Sequence, residues 1–244
     1  MEIHILRKDI LMKLNKLYEY PASMRSLVQG SRHYDVGQEK LPSVTTILSA
    51  TQSEEKKASL AAWAARVGQD QATRIKDQAA TRGTIMHHIL EGWIKDEPHV
   101  DLTEVGQMAE KMAHQILING LRDRLTEYWG LEVTLYYPGL YAGATDVVGM
   151  YDGSASIIDF KQSNKPKRKE WIDDYKLQLA AYALAHNEIY GTAINKGVNL
   201  ICTKDNYFQE FIFEGEEFRQ AKFDWLRRVD QYYNEKEKDA QQNS

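Results

Sequence analysis

The chain of 244 residues contains a single cysteine, Cys202. No intrachain disulfide can form, and an all-cysteine zinc site or an iron–sulfur cluster is excluded. A reducing interior is the expected setting. No apolar run approaches the ~20 residues that cross a bilayer. The charged start "MEIHILRKDILMKLNK" has neither a clean apolar segment nor a small-residue cleavage site. A cytoplasmic protein without membrane contact is therefore expected. A basic excess is missing too: 31 Lys and Arg stand against 35 Asp and Glu, a net charge of −4. Any nucleic-acid contact must rest on a local basic patch. No G-x-x-x-x-G-K-[ST] segment occurs, so neither a nucleotide-driven motor nor a nucleotide cofactor is expected.

What is present suits one large domain, or one domain with an added helical lobe. Residues 1–30 lean toward helix before a Gly-containing turn. "RHYDVGQEKLPSVTTIL" reads as a short hairpin feeding a helix capped by Ser43 or Thr45. Residues 54–80 form an Ala-rich helix and "TRGTIMHHILEGWIKDE" a second. "LTEVGQMAEKMAHQILINGLRDRLTEYWG" forms a long third, closed by Gly130. The texture then changes to three alternating strands, "LEVTLYY", "LYAGATDVVGMY" and "SASIIDFK". A largely apolar helix, "KEWIDDYKLQLAAYALAHNEIYG", follows, then the hairpin "VNLICT–KDN–YFQEFIF" and an amphipathic C-terminal helix carrying Phe218, Trp225, Val229 and Tyr232. The expected fold is α/β: a central mixed sheet, built from a three-stranded antiparallel meander plus further strands, flanked by helices. Residues 1–130 would be mainly helical and residues 131–244 would hold the sheet, in one compact unit.

The strand "IIDFK" raises a question of chemistry. Positions two apart share a face, so Asp159 and Lys161 point one way and Ile158 and Phe160 the other. Acid-x-Lys alone is a weak pattern; Glu54-Glu55-Lys56, Glu55-Lys56-Lys57 and Asp174-Tyr175-Lys176 repeat it in polar or helical stretches. The support comes from Asp152-Gly153, the strongest short hairpin signal in the chain. A two-residue turn there pairs Tyr151 with Ser154 and sets Asp146 opposite Asp159, their Cβ atoms about 5 Å apart. Two carboxylates at that distance repel by roughly 3 kcal/mol at an effective dielectric near 20. A shared proton or a cation between them relieves this, and an oxygen-rich site without cysteine suits Mg²⁺ or Mn²⁺. With Pro138-Gly139-Leu140 as a three-residue loop, Glu132 falls opposite Asp146; a two-residue loop would place Leu131 there.

"GATD", a hairpin, "IIDFK" and then "QLAAY" on the next helix resemble the PD-(D/E)xK nuclease superfamily. Upstream, "RGTIMHHILEG" is similar to the arginine-glycine and histidine helix of its RecB-like branch. "LPSVTTIL" and "WAARVG" look most like the mitochondrial and phage exonucleases of that branch. The match runs in order from about Leu41 to Tyr182. It implies Asp146, Asp159 and Lys161 as the catalytic acids and lysine, with Gln178 and Tyr182 following on one helix face. It implies metal ligation by His87, Asp146, Asp159 and the Phe160 carbonyl; Glu132, opposite Asp146 in the three-residue-loop register, is a further candidate ligand. His88 adjoins His87, which leaves the histidine ligand open; Glu91, on the face of His87, could orient that ring. Lys165, Lys167, Arg168 and Lys169, with Arg82 and the helix start at Ser43 and Thr45, would track the DNA backbone. The implied activity is metal-dependent DNA hydrolysis, exonucleolytic and leaning to single strands or free ends. A structure- or end-processing endonuclease and a catalytically silent DNA-binding module are the rivals. A motor, if one acts, would be a separate helicase or a replication or recombination partner.

Overall fold

The computed structural model describes residues 12–97 and 99–242. A six-stranded sheet runs in the order β1 (Lys13–Leu14), β5 (Leu125–Tyr137), β6 (Tyr141–Tyr151), β7 (Ser154–Ser163), β8 (Lys196–Thr203), β9 (Phe208–Glu214). The pairs β1–β5 and β7–β8 are parallel and the rest antiparallel, so the sheet is mixed, with the expected meander at its centre. Helix α5 (Asp173–Tyr190) makes the crossover between the parallel strands β7 and β8. A separate antiparallel sheet joins β2 (Ser23–Val28), β3 (Ser31–Val36) and β4 (Glu39–Pro42).

The sheet is buried on both faces. On one side Ile157, Val148 and Ile201 pack with Val44 and Ile47 of α1 (Val44–Ala50), with Leu179 and Ala183 of α5, and with Phe218 and Trp225 of α6 (Gly215–Gln242). On the other, Val147, Ile158, Phe160 and Leu200 pack with Met86 and Ile89 of α3 (Gln69–Ile94) and Met112 of α4 (Glu104–Ile116). The neighbours Val147 and Val148, or Ile157 and Ile158, divide between the two cores as strand alternation requires. Two-sided burial explains why β7 and β8 read as near-continuous apolar runs.

Three expectations need correction. The helix-leaning start lies partly in residues 1–11, outside the described residues; from residue 12 onward it is strand, turn and hairpin. Lys and Leu favour helix weakly, and pairing with β5 and across the Gln29-Gly30 turn overrides that preference. The helix of residues 54–80 is two helices, α2 (Glu54–Val67) and α3, broken at Gly68, whose φ of 88° no helix residue can adopt. The segment "TRGTIMHHILEG" continues α3 without a break. Finally, α4 ends in a π turn at Leu117–Leu121, and "LTEYWG" belongs to β5, so Gly130 closes no helix. The Asn119-Gly120 pair and the left-handed Asp123 (φ 61°) mark that turn.

Candidate active site

β6 and β7 keep the two-residue-turn register from Tyr151–Ser154 to Val147–Ile158. At Asp146 and Asp159 the backbone pairing stops. β7 goes on beside β8, with Asp159 level with Asn199. Asp146 reaches into the opening, and the Phe160 N–H donates to its Oδ2 at 2.5 Å. The carboxylate thus takes over an amide that the ladder no longer satisfies. On the other side of β6, the pairs Val133–Thr145 and Leu131–Val147 flank Glu132 and Asp146. The three-residue-loop register therefore holds, and Glu132 lies opposite Asp146. Glu132 has a φ of 52° and leaves the extended conformation.

His87 comes from α3, a helix of the opposite layer, and meets these acids where the strands separate. Its Nδ1 lies 3.1 Å from Asp146 Oδ1 and 3.8 Å from Glu132 Oε1. One donor atom each of His87, Glu132 and Asp146 falls within 4.8 Å of the others. Asp159 is buried beside them; Lys161 Nζ lies 2.5 Å from its Oδ2, and Asn199 Nδ2 donates to the same oxygen at 3.1 Å. All of these groups except Asn199 line one cleft of ≈ 740 Å³. His88 instead packs edge-on against His99, with ring centroids 5.9 Å apart. Glu91, expected to orient His87, is paired with Lys95 at 2.6 Å. Asp146 is the hydrogen-bond partner of the His87 ring, with Glu132 alongside.

The electrostatics follow from burial and pairing. Burial would push the His87 imidazole down, but the Asp146 charge and hydrogen bond, with the Glu132 carboxylate nearby, raise it to about 10. Burial raises Asp159 to about 6 against the pull of Lys161, helped by the charge of Asp146. Asp146 would likewise be raised by burial, yet His87, Lys161 and the Phe160 amide bring it below the ordinary carboxylate value. Burial lowers Lys161, and the charges of Asp159 and Asp146 more than offset this, so it remains an ammonium at neutral pH. Glu132 is raised, first by burial. Three acids, a histidine and oxygen donors without sulfur fit a hard divalent cation.

Gln178 and Tyr182 also line the cleft, from α5, and Gln178 Nε2 donates to the Tyr182 hydroxyl at 3.1 Å. The phosphate-tracking candidates disperse. Ser43 is the buried N-cap of α1, its Oγ accepting from the Thr46 amide at 3.0 Å; Thr45 is a helix residue at the rim. Arg82 is buried and donates to Gln162 Oε1 at 2.6 Å and Asn164 Oδ1 at 2.5 Å, bracing the end of β7. Gly83, next to it, has room for a Cβ only 3.1 Å from Gln162 Cγ, which lets α3 come close there. Lys165 and Lys167 line an adjoining cleft of ≈ 910 Å³ with Arg66 and Lys204. Lys169 is paired with Glu217 at 2.7 Å, and Arg168 lies over the Trp171 ring at 5.1 Å.

A family model for the PD-(D/E)XK nuclease superfamily matches residues 47–243. The chain belongs to the PD-(D/E)XK nuclease superfamily. Among its relatives, mitochondrial genome maintenance exonuclease 1 of Mus musculus is 30% identical over 212 residues, 81% of this chain and 60% of that protein. The Homo sapiens protein of the same name is 26% identical over 205 residues, covering 80% of this chain and 59% of its own length. The chain thus spans about three fifths of the relatives it matches. Several residues in and around the candidate cleft were not expected from the sequence: Asn199 beside Asp159, Tyr175 with its ring 5.3 Å from Lys161 Nζ, and Arg25 and Arg32 from the small sheet. Asn199 left a signal, a lone amide inside the apolar run "VNLICT". The other three left none, because their approach depends on how separate elements pack.

Proposed function

We propose that the chain is a divalent-metal-dependent DNA exonuclease acting on single strands or free ends. One observation carries this reading: His87, Glu132 and Asp146 offer donors within 4.8 Å of one another, in the same cleft as the Asp159–Lys161 pair. In the reading, His87, Asp146 and Asp159 hold Mg²⁺ or Mn²⁺, with the Phe160 carbonyl and Glu132 in support. When bound, such an ion makes hydroxide available near neutral pH and neutralises charge on the phosphoryl oxygens. Lys161, paired with Asp159 beside the cation site, positions the attacking water or takes its proton. Both contacts to Asp159 fall on Oδ2, which leaves Oδ1 for the cation. Gln178 and Tyr182 orient the substrate from the helix face that they share. His87 reaches the site from the first half of the chain and the acids from the second, which favours one catalytic unit over two independent domains.

The exonucleolytic preference is supported by the names of the matched relatives. In this reading any strand opening is assigned to a separate helicase or replication partner. The test uses end-labelled linear single- and double-stranded DNA and circular single strands, with Mg²⁺, Mn²⁺ or EDTA. Mononucleotides or short oligonucleotides should be released from linear single strands with metal, and nothing in EDTA. Undiminished cleavage in EDTA would overturn the reading, and cutting of the circles would favour an endonuclease. Binding without cleavage in either metal would leave the silent module.

A further inference from the structure

The small β2–β4 sheet precedes the family-matched span that begins at residue 47, and no motif falls on its β2–β3 hairpin. Yet Arg25, Arg32 and Tyr34 from it line the nuclease cleft. Arg25 on β2 pairs with Tyr34 on β3, and Leu27 pairs with Arg32. Positions two apart and cross-strand partners share a face, so Leu27 stands between the two arginines on the cleft side, at the rim. It is 75% exposed. Arg25 lies 5.7 Å from the Tyr34 ring centroid, which props the guanidinium toward the cleft. Neither arginine forms an ion pair among the described residues, whereas Lys40 on the same sheet is paired with Asp35 at 3.1 Å. The hairpin is stiff: Gln29 (φ 50°) and Gly30 (φ 77°) form its two-residue turn. The backbone carbonyl of Arg32 accepts from the Ser43 N–H and the Thr46 hydroxyl, fixing the hairpin to the start of α1.

An exposed apolar side chain between two unpaired guanidinium groups, on a rigid support beside a phosphate-cleaving cleft, matches one kind of ligand. We infer that this face is a docking platform for an unpaired nucleic-acid strand: Arg25 and Arg32 hold successive phosphates, and Leu27 packs against the base between them. A base in a duplex keeps its face stacked on its neighbours, so the Leu27 contact is open only to a strand whose bases are free. The inference rests on the nuclease reading of the cleft and supplies a physical origin for a single-strand preference.

The test is fluorescence-polarisation binding in EDTA, so that no cleavage occurs, with a single-stranded oligonucleotide and the blunt duplex of the same sequence. The variants are Leu27→Ser, the double variant Arg25→Gln/Arg32→Gln, and Met24→Ser. Met24, 68% exposed, occupies the opposite face of the same strand and controls for damage to the hairpin. Leu27→Ser should weaken single-strand binding about tenfold with the salt slope unchanged, and leave duplex binding as it was. The arginine variant should lower the slope of log K against log salt by about 1.4, roughly 0.7 for each single-strand phosphate that is no longer neutralised. Met24→Ser should match wild type. Single-strand binding that survives both cleft-side changes, or falls equally in Met24→Ser, overturns the platform. Cleavage by wild type distinguishes the two claims. An active enzyme whose hairpin variants bind normally refutes the platform and leaves the nuclease reading standing. A chain inactive in every metal, whose variants still lose single-strand binding, does the reverse.

Discussion

Lys161 and Asp159 form a 2.5 Å ion pair in a place where either charge alone would be strongly disfavoured. Replacing Lys161 by Ala removes the group that the proposed reaction places on the attacking water, and with it the charge that opposes the burial-driven rise of Asp159. The single-turnover cleavage rate should then fall on the order of 10³-fold while DNA affinity in EDTA changes little, because the lost group acts in the transition state. Stopped-time cleavage beside polarisation binding checks both halves; a variant that cleaves like wild type refutes the role. Glu132 makes a different case. Its left-handed backbone costs of order 1 kcal/mol in a non-glycine residue, and its carboxylate sits close to that of Asp146. Glu132→Gly should therefore hold or raise the melting temperature while weakening metal binding, read by calorimetric titration with Mn²⁺. A variant that loses stability and keeps its metal affinity contradicts both assignments. Asp146, Asp159 and Lys161 were legible in the sequence because turn chemistry and strand alternation are local rules. The left-handed Glu132 was not, since no glycine or asparagine announced it.

Among the elements, the basic run after β7 is not one patch. Lys165 and Lys167 open onto the cleft beside the site, whereas Lys169 is tied to Glu217 and Arg168 to Trp171. Neutralising Lys165 and Lys167 together should reduce the salt slope of single-strand binding by about 1.4, and Lys169→Gln should leave it within error. Polarisation across a salt series decides it; equal effects would mean that the whole run follows the DNA. The strand meander, the crossover helix and the last hairpin were readable from periodicity, since each has an uninterrupted pattern bounded by turn residues. "LTEYWG" was misread as helix because its Leu, Tyr and Trp spacing suits a helix face as well as a strand, and pairing with β6 settled the matter. β2 was missed for a related reason: it is largely exposed, its apolar Met24, Leu27 and Val28 do not alternate, and its pairing with β3 defines it more than its own composition.

In the molecule as a whole, His186 of α5 marks where distant parts of the chain meet. It is fully buried among Tyr18, Tyr20, Trp129 and Tyr190, with Nε2 3.2 Å from the Tyr20 hydroxyl and Nδ1 2.8 Å from Thr192 Oγ1. Burial lowers its pKa to about 4. A folded-state value below the unfolded one means that the unfolded chain binds the proton first. The stability that His186 contributes is therefore complete above about pH 6.5 and is lost as pH falls toward 4, by about 2 kcal/mol at pH 5. Urea midpoints at pH 7.5 and 5 should differ more for wild type than for His186→Gln; equal differences would show that the histidine does not titrate there. The α/β class, the acid–acid opposition across the Asp152-Gly153 turn and the family can all be read from the chain alone, because each is written in residues close together along it. The packed structure was needed to show that β7 parts from β6 at Asp159 while staying beside β8, that Asn199 meets that acid across 40 residues and that His87 meets Asp146 across 59. Those meetings depend on two cores closing on opposite faces of one sheet, and no local pattern encodes the distance between them.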